Sequence, residues 1–195
     1  MDSMLPTILV VSAFFLILII SLSSAETIPY IVDGKTGEIE FRNYPALVLA
    51  TVESPGNDAG FDLLFKYISG NNKAKNTLPM TAPVITSTKI PMTAPVFSDA
   101  ESMSFVMPPE KTYEEIPDPL DSRVRIEILP GREIAVIRFG GYASKEDVAA
   151  ATSRLLKGLT DERIASVGQV FLMRYDPPWM PGFLRRNEIG IEIKR

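Results

Sequence analysis

Residues 39–53 read IEFRNYPALVLATVE. Ile39–Arg42 alternate apolar and charged side chains and Ala46–Glu53 run largely apolar, the patterns of a half-buried and a buried strand. Asn43, Tyr44 and Pro45 stand between them. Asparagine tolerates turn geometry, and proline fixes φ and lacks an N–H, so the spacing predicts a hairpin about Asn43-Tyr44-Pro45. The same order returns at residues 124–139, VRIEILPGREIAVIRF, where Val124–Leu129 and Glu133–Phe139 flank Pro130-Gly131-Arg132.

A helical pattern follows each pair. Phe61, Leu64, Phe65 and Ile68 fall at i, i+3, i+4 and i+7, the spacing of a buried stripe; Asn57 or Asp58 is the candidate cap, and Gly70-Asn71-Asn72 closes the helix. Leu63 and Tyr67 form a second apolar strip beside it. Farther on, Lys145–Leu159 reads as a helix capped by Ser144 with Asp147 three residues later, close to a capping box. Val148, Ala151, Thr152, Leu155 and Leu156 make its inner face, and Gly158 helps to end it. Strands return at Gln169–Arg174 and Ile189–Lys194. A duplicated unit of two hairpins around a helix buries the apolar helix face against a curved sheet. The expected class is α+β: a pseudo-twofold duplicated unit forming a distorted antiparallel β-barrel with two packed α-helices, preceded by an N-terminal hydrophobic helix.

The composition excludes several functions. The 195 residues, 46% hydrophobic and 23% charged, suit one globular domain. The net charge is −4 and the cations are scattered, which leaves no basic footprint for nucleic acid. With no histidine and no cysteine, the chain has no disulfide, no thiolate nucleophile, no Ser/His/Asp triad and no ordinary zinc site. The carboxylates that alternate with isoleucine near Ile189–Ile193 read as a solvated sheet face. No enzyme is expected.

Met4–Leu22 carries no charge and is followed by Ser23-Ser24-Ala25 and then Glu26. It is long enough to span a bilayer as a helix, and the small residues after it suit a signal-peptide cut. Residues 1–25 are expected to be a signal peptide or membrane anchor and 26–195 the folded domain, with a membrane as partner through residues 4–22 if uncleaved. The domain is then membrane-anchored or secreted, outside the cytoplasm.

Five motifs in order, FRNYPALVLATVE, GFDLLFKYISGNN, KIPMTAPV, MSFVMP and YDPPWMPGFLRRNEIGIEI, resemble the SOUL heme-binding protein family from Tyr30 to the end. The resemblance implies a pseudo-twofold α+β barrel related to the effector-binding domains of some bacterial regulators, and binding of heme or another tetrapyrrole without transforming it. In the family one K-I-x-M-T-A-P-V strand usually follows the first helix. Here PMTAPV occurs at Pro79–Val84 and again at Pro91–Val96, as a tandem insertion. The second copy, preceded by Lys89-Ile90, matches the family strand better. Prolines within each copy suit an edge or bulged strand, and Met80 or Met92 could offer a thioether to iron.

Some family members carry a histidine, proposed as an iron ligand, between an arginine and a tyrosine; this chain has Arg42-Asn43-Tyr44. Binding by apolar contact and propionate links is therefore expected, with ligation by Met, Tyr or Lys, or no heme at all, as alternatives. The candidate contacts are Leu63, Lys66 and Tyr67 on the first helix, and Trp179, Met180 and Phe183 in the proline-stiffened stretch that ends in Arg185 and Arg186, candidate carboxylate partners. The ligand is a tetrapyrrole or another flat apolar molecule, held by a carrier or buffer. The competing reading is a small-molecule or protein-interaction module on the same fold that does not bind heme.

Overall fold

The computed structural model describes residues 26–53, 58–87, 102–177 and 179–195. The expected N-terminal helix and the second PMTAPV copy lie outside the described residues. The elements are β1 (Glu26–Thr27), β2 (Ile31–Thr36), β3 (Ile39–Tyr44), β4 (Leu47–Glu53), α1 (Asp58–Ile68), β5 (Thr81–Ala82), β6 (Val84–Ser87), β7 (Ser102–Val106), β8 (Val124–Leu129), β9 (Arg132–Phe139), α2 (Lys145–Asp161), β10 (Ala165–Arg174) and β11 (Asn187–Lys194). Nine strands form one antiparallel sheet in the order β2-β3-β9-β11-β10-β6-β7-β4-β8.

Neither expected hairpin forms. β3 pairs with β9 from Ile39 opposite Ile137 to Tyr44 opposite Arg132, and β4 pairs with β8 from Leu47 opposite Leu129 to Val52 opposite Val124. Tyr44 and Leu47 are three residues apart, as are Leu129 and Arg132, so a single register runs through both corners. The physical reason lies in the turn chemistry. A two-residue hairpin loop needs positive φ, which Pro45 and Pro130 cannot adopt, and Gly131 is not in that region either. The prolines bend each chain without reversing it, and the bent segments run antiparallel along each other. Gly131 permits the crossing, because a Cβ there would lie 3.2 Å from the Tyr44 carbonyl oxygen and 3.3 Å from the Ala46 nitrogen.

The duplication is visible in the strand order. Exchanging β3 with β8, β4 with β9, β6 with β10 and β7 with β11 reverses the order of those eight strands and leaves it unchanged. The expected barrel is corrected on one point: the ladders do not close into a ring, and among the described residues β2 and β8 end the sheet. The bent chains join its two ends covalently instead.

Three apolar clusters fill the fold. α2 packs Val148, Ala151, Leu155 and Leu159 against Ile39, Ile137, Leu172 and Ile189. Its capping box is complete: the Ser144 oxygen accepts from the Asp147 N–H at 3.1 Å, and the Ser144 N–H donates to Asp147 Oδ2 at 3.1 Å. Gly158 does not end the helix, which continues to Asp161; it is small because Ile39 packs directly on it. α1 turns Phe61, Leu64 and Ile68 of its expected stripe inward, with Tyr67 in place of Phe65. Leu64, Tyr67 and Ile68 are buried with Ala50, Val52 and Phe105, whereas Phe65 is 49% exposed. Asn72 closes α1 by donating to the carbonyls of Tyr67 at 3.1 Å and Asn76 at 2.7 Å. The third cluster, including Tyr44, Leu47, Ile134, Phe171 and Met173, lies where the two halves meet.

The first PMTAPV copy enters the sheet. Its Val84 opens β6, an interior strand between β10 and β7. Pro83 falls in the break between β5 and β6, so its missing N–H removes no ladder bond.

Candidate functional site: the β10–β11 loop

β10 ends at Arg174 and β11 begins at Asn187. The loop between them has a narrow neck, where the Tyr175 N–H donates to the Arg186 carbonyl at 3.3 Å and the Arg186 N–H to Asp176 Oδ2 at 2.5 Å. Past the neck, the Met180 N–H donates to the Pro177 carbonyl at 3.0 Å, and Gly182–Leu184 form a 3-10 turn after Pro181. The turn is fixed to the segment before α2. The Gly141 N–H donates to the Gly182 carbonyl at 3.1 Å, and a Cβ on Gly182 would lie 2.6 Å from the Tyr142 ring. Arg185 stacks over that ring at 4.6 Å, and its Nε donates to the Met180 carbonyl at 2.7 Å. With its backbone so held, the loop leaves its largest side chains in solvent: Trp179 is 79% and Phe183 85% exposed, and Leu184 and Tyr142 are exposed beside them.

A buried polar network anchors the neck. Glu188, 0% exposed, accepts from Arg42 at 2.7 and 3.1 Å, from Arg186 at 2.9 and 2.7 Å and from the Tyr175 hydroxyl at 2.8 Å. Arg42 also pairs with Glu40. Burial pushes the Glu188 carboxyl up, but the hydrogen bonds and charges of Arg42 and then Arg186 outweigh it and hold the group below the ordinary carboxylate value. Burial and the neighbouring Glu188 charge push the Tyr175 hydroxyl up, so it stays a donor. Two guanidiniums facing two carboxylates are balanced in charge, which makes this a fastening between β3, β11 and the loop. Glu188, just before the run Ile189–Ile193 expected to face solvent, does not share that exposure.

A cavity behind Tyr44, Leu47, Ile134 and Phe171 measures about 10 Å³, room for about one water molecule and not for a porphyrin. Among the described residues, no group of three or more acidic, histidine or cysteine side chains could hold a metal ion.

The expected site residues divide. Trp179, Met180, Phe183 and Arg185 come together in the loop, whereas Leu63, Lys66 and Tyr67 lie on α1. Tyr67 is corrected from a contact residue to a core one: it is 1% exposed, its hydroxyl donates to the Pro117 carbonyl at 2.7 Å, and burial, with the Asp118 charge, pushes its pKa up to about 12. Leu63 is partly buried against the same cluster, and Lys66 is exposed. Arg186 is committed to Glu188 and does not serve as a rim cation. The amide of exposed Asn43 donates to Asp33. Sequence reasoning missed Tyr142 and Leu184; the Gly140-Gly141-Tyr142 run is the signal for the first, since glycines mark a close approach of backbones.

The SOUL heme-binding protein model matches residues 25–192. This chain belongs to the SOUL heme-binding protein family. Among its relatives, Heme-binding protein 1 of Bos taurus is 30% identical over 178 residues, covering 86% of this chain and 92% of the relative. Heme-binding protein 2 of Homo sapiens is 35% identical over 117 residues, 56% of each chain. Two solved structures share the SOUL fold at 11% identity: the C-terminal domain of EcmrR, with a TM-score of 0.54 over 80% of this chain and 97% of that one, and a hydrolase from Listeria innocua, with 0.57 over 80% and 92%.

Proposed function

We propose that this SOUL domain binds heme or metal-free porphyrin, without catalysis, on the face made by Trp179, Phe183 and Tyr142. The role is that of a tetrapyrrole carrier or buffer, exported or held at a membrane by residues 1–25. Membership in a heme-binding family supports the ligand class. The observation that carries the site is the exposure of Trp179 and Phe183 on a loop whose backbone is fastened at both ends. Such side chains offer apolar contact area already in place, without reordering on binding. The residues fit the pigment by surface chemistry: aromatic side chains suit a macrocycle face, and the Arg185 cation at the rim suits a propionate. Heme supplies an iron centre when bound. With no histidine in the chain, Met180 is the sulfur ligand this loop can offer.

Trp179 is the only tryptophan, so its fluorescence reports titration with either pigment. Hemin and protoporphyrin are expected to quench it with similar affinity. Phe183→Ser should weaken both by about 1–3 kcal/mol, the scale of one large apolar side chain leaving contact, while Leu63→Ser should leave pigment affinity unchanged. Strong preference for hemin with a six-coordinate spectrum would move the weight of binding to an iron ligand. If neither pigment binds at micromolar concentration, the module that does not take heme becomes the better reading.

A further inference from the structure

The two ends of the sheet are not alike. β2 shifts register against β3 between Val32 and Gly34, a bulge of the kind that blunts an exposed edge. β8 has none. Its pairing with β4 runs unbroken from Leu129 opposite Leu47 to Val124 opposite Val52, and among the described residues no strand lies on its other side. Its side chains sort by face. Val124 is buried in the cluster under α1 and Ile126 is partly covered by it, while Ile128, on the same face, is 57% exposed. Arg125 and Glu127, both exposed, occupy the opposite face.

Two hydrogen bonds fix which backbone groups β8 turns outward. The Val124 N–H donates to the Asp121 carbonyl at 3.1 Å, and the Val48 carbonyl, opposite Ile128, accepts from the Met107 N–H at 2.8 Å. Val124 and Ile128 therefore stand at non-hydrogen-bonded pairs of the β4 ladder. By the alternation of antiparallel pairing, Arg125, Glu127 and Leu129 bond to β4, and Ile126 and Ile128 point their N–H and C=O groups away from it. A row of such groups is a template for another strand.

The strand that fits is β8 itself. Laid antiparallel on a second copy with Ile126 opposite Ile126, it sets Arg125 of each copy opposite Glu127 of the other, and Ile128 opposite Val124. Opposite charges facing each other across a ladder stabilise it, and like charges do the reverse. Moving the twofold axis to residue 125 sets arginine against arginine, and moving it to residue 127 sets glutamate against glutamate, so charge selects the register. Arg125 donates to Glu53 through one nitrogen at 2.7 Å, which leaves guanidinium N–H groups for a second carboxylate. α1 packs on β4 and β7 as well as on β8, and so stands back from the edge.

We infer that two copies of this chain pair through β8, antiparallel about Ile126, joining two nine-stranded sheets into one. Ile126 exchanges both of its outward bonds with its counterpart, and each Ile128 N–H reaches the Val124 carbonyl of the other copy. The Arg125–Glu127 pairs hold the register. The pairing does not involve the Trp179 loop and is independent of pigment binding.

The chain has no cysteine, so a single Ile126→Cys substitution places one thiol on the twofold axis. Opposed residues of a hydrogen-bonded antiparallel pair lie about 5.5 Å apart, within disulfide reach. The test uses the full chain in detergent micelles, treated with copper phenanthroline and followed on non-reducing gels. Glu162→Cys, exposed at the end of α2, is the control, since it shares whatever association residues 1–25 contribute. Ile126→Cys is expected to form covalent dimer at least tenfold faster than Glu162→Cys. Adding Arg125→Glu, or adding Glu127→Arg, should each slow it about tenfold by setting like charges opposite, and mixing those two proteins should restore the rate. Circular dichroism checks that each variant keeps the fold of the parent; if either charge variant loses it, Ile128→Lys makes the same test at an exposed position. Cross-linking of Ile126→Cys no faster than the control overturns the pairing. Fast cross-linking that neither charge change nor Ile128→Lys slows overturns it as well, because contact at Ile126 would then not depend on this register.

Discussion

At Glu188 burial and charge pull in opposite directions, and charge prevails. Two arginines and a tyrosine surround one carboxylate that has no access to water. Its folded pKa lies below the ordinary value of 4.5, so its contribution to stability is present above that value and is lost as pH falls through the folded pKa. Urea melts below pH ~4.5 should therefore show a falling midpoint, and Glu188→Gln should flatten that part of the profile. At neutral pH the same substitution leaves the buried Arg42 and the partly exposed Arg186 facing a neutral amide and should cost about 3–5 kcal/mol. Parallel profiles for parent and variant would place the acid sensitivity elsewhere. The sequence gives no local sign of this role. Glu188 and Glu192 both neighbour isoleucines, and the contact that encloses the first includes Arg42, 146 residues away in sequence. Tyr67 is hidden for a similar reason, since it stands beside the periodic stripe of α1 and is enclosed by residues remote in sequence, with its hydroxyl on the Pro117 carbonyl.

Among the elements, those with local signals were legible. The range of α2 follows from Ser144, Asp147 and its apolar spacing, and α1, β8 and β9 lie close to their expected positions. Pairing was not legible, because each bent chain takes a partner from the other half. The twelve-residue repeat gives an element-level test. β6 and β7 pair with Val84 opposite Phe105 and Thr86 opposite Met103, which brings Ser87 and Ser102 opposite each other. Removing residues 88–99, one repeat length, leaves only Ala100-Glu101 between them. With Asn-Gly placed at those two positions, the link has the composition of a tight hairpin turn. This variant should unfold cooperatively and within about 2 kcal/mol of the parent, since loop-closure cost changes only logarithmically with length. Removing Leu78–Thr88 instead takes out β6 and should abolish the cooperative transition, unless the second copy, Pro91–Val96, can occupy its place. Chemical denaturation followed by circular dichroism separates these outcomes.

For the molecule as a whole, duplication does not mean two domains. β3–β4 of the first half pair with β9–β8 of the second, and the central cluster takes Leu47 and Leu49 from one and Phe171 and Met173 from the other. Neither half can complete its sheet or its core alone. Unfolding should be a single transition in which Trp179 fluorescence, which reports the β10–β11 loop, coincides with far-UV circular dichroism, which reports every strand. Two separated transitions would mean that the halves are independent after all. The shared corner also bears on how the protein is made. The second-half ladder partners of β3 and β4 arrive between 72 residues later, from Val52 to Val124, and 98 residues later, from Ile39 to Ile137. A ribosome releases β3 and β4 well before β8 and β9 exist, so the first half waits with its corner unpaired until the second half has been made.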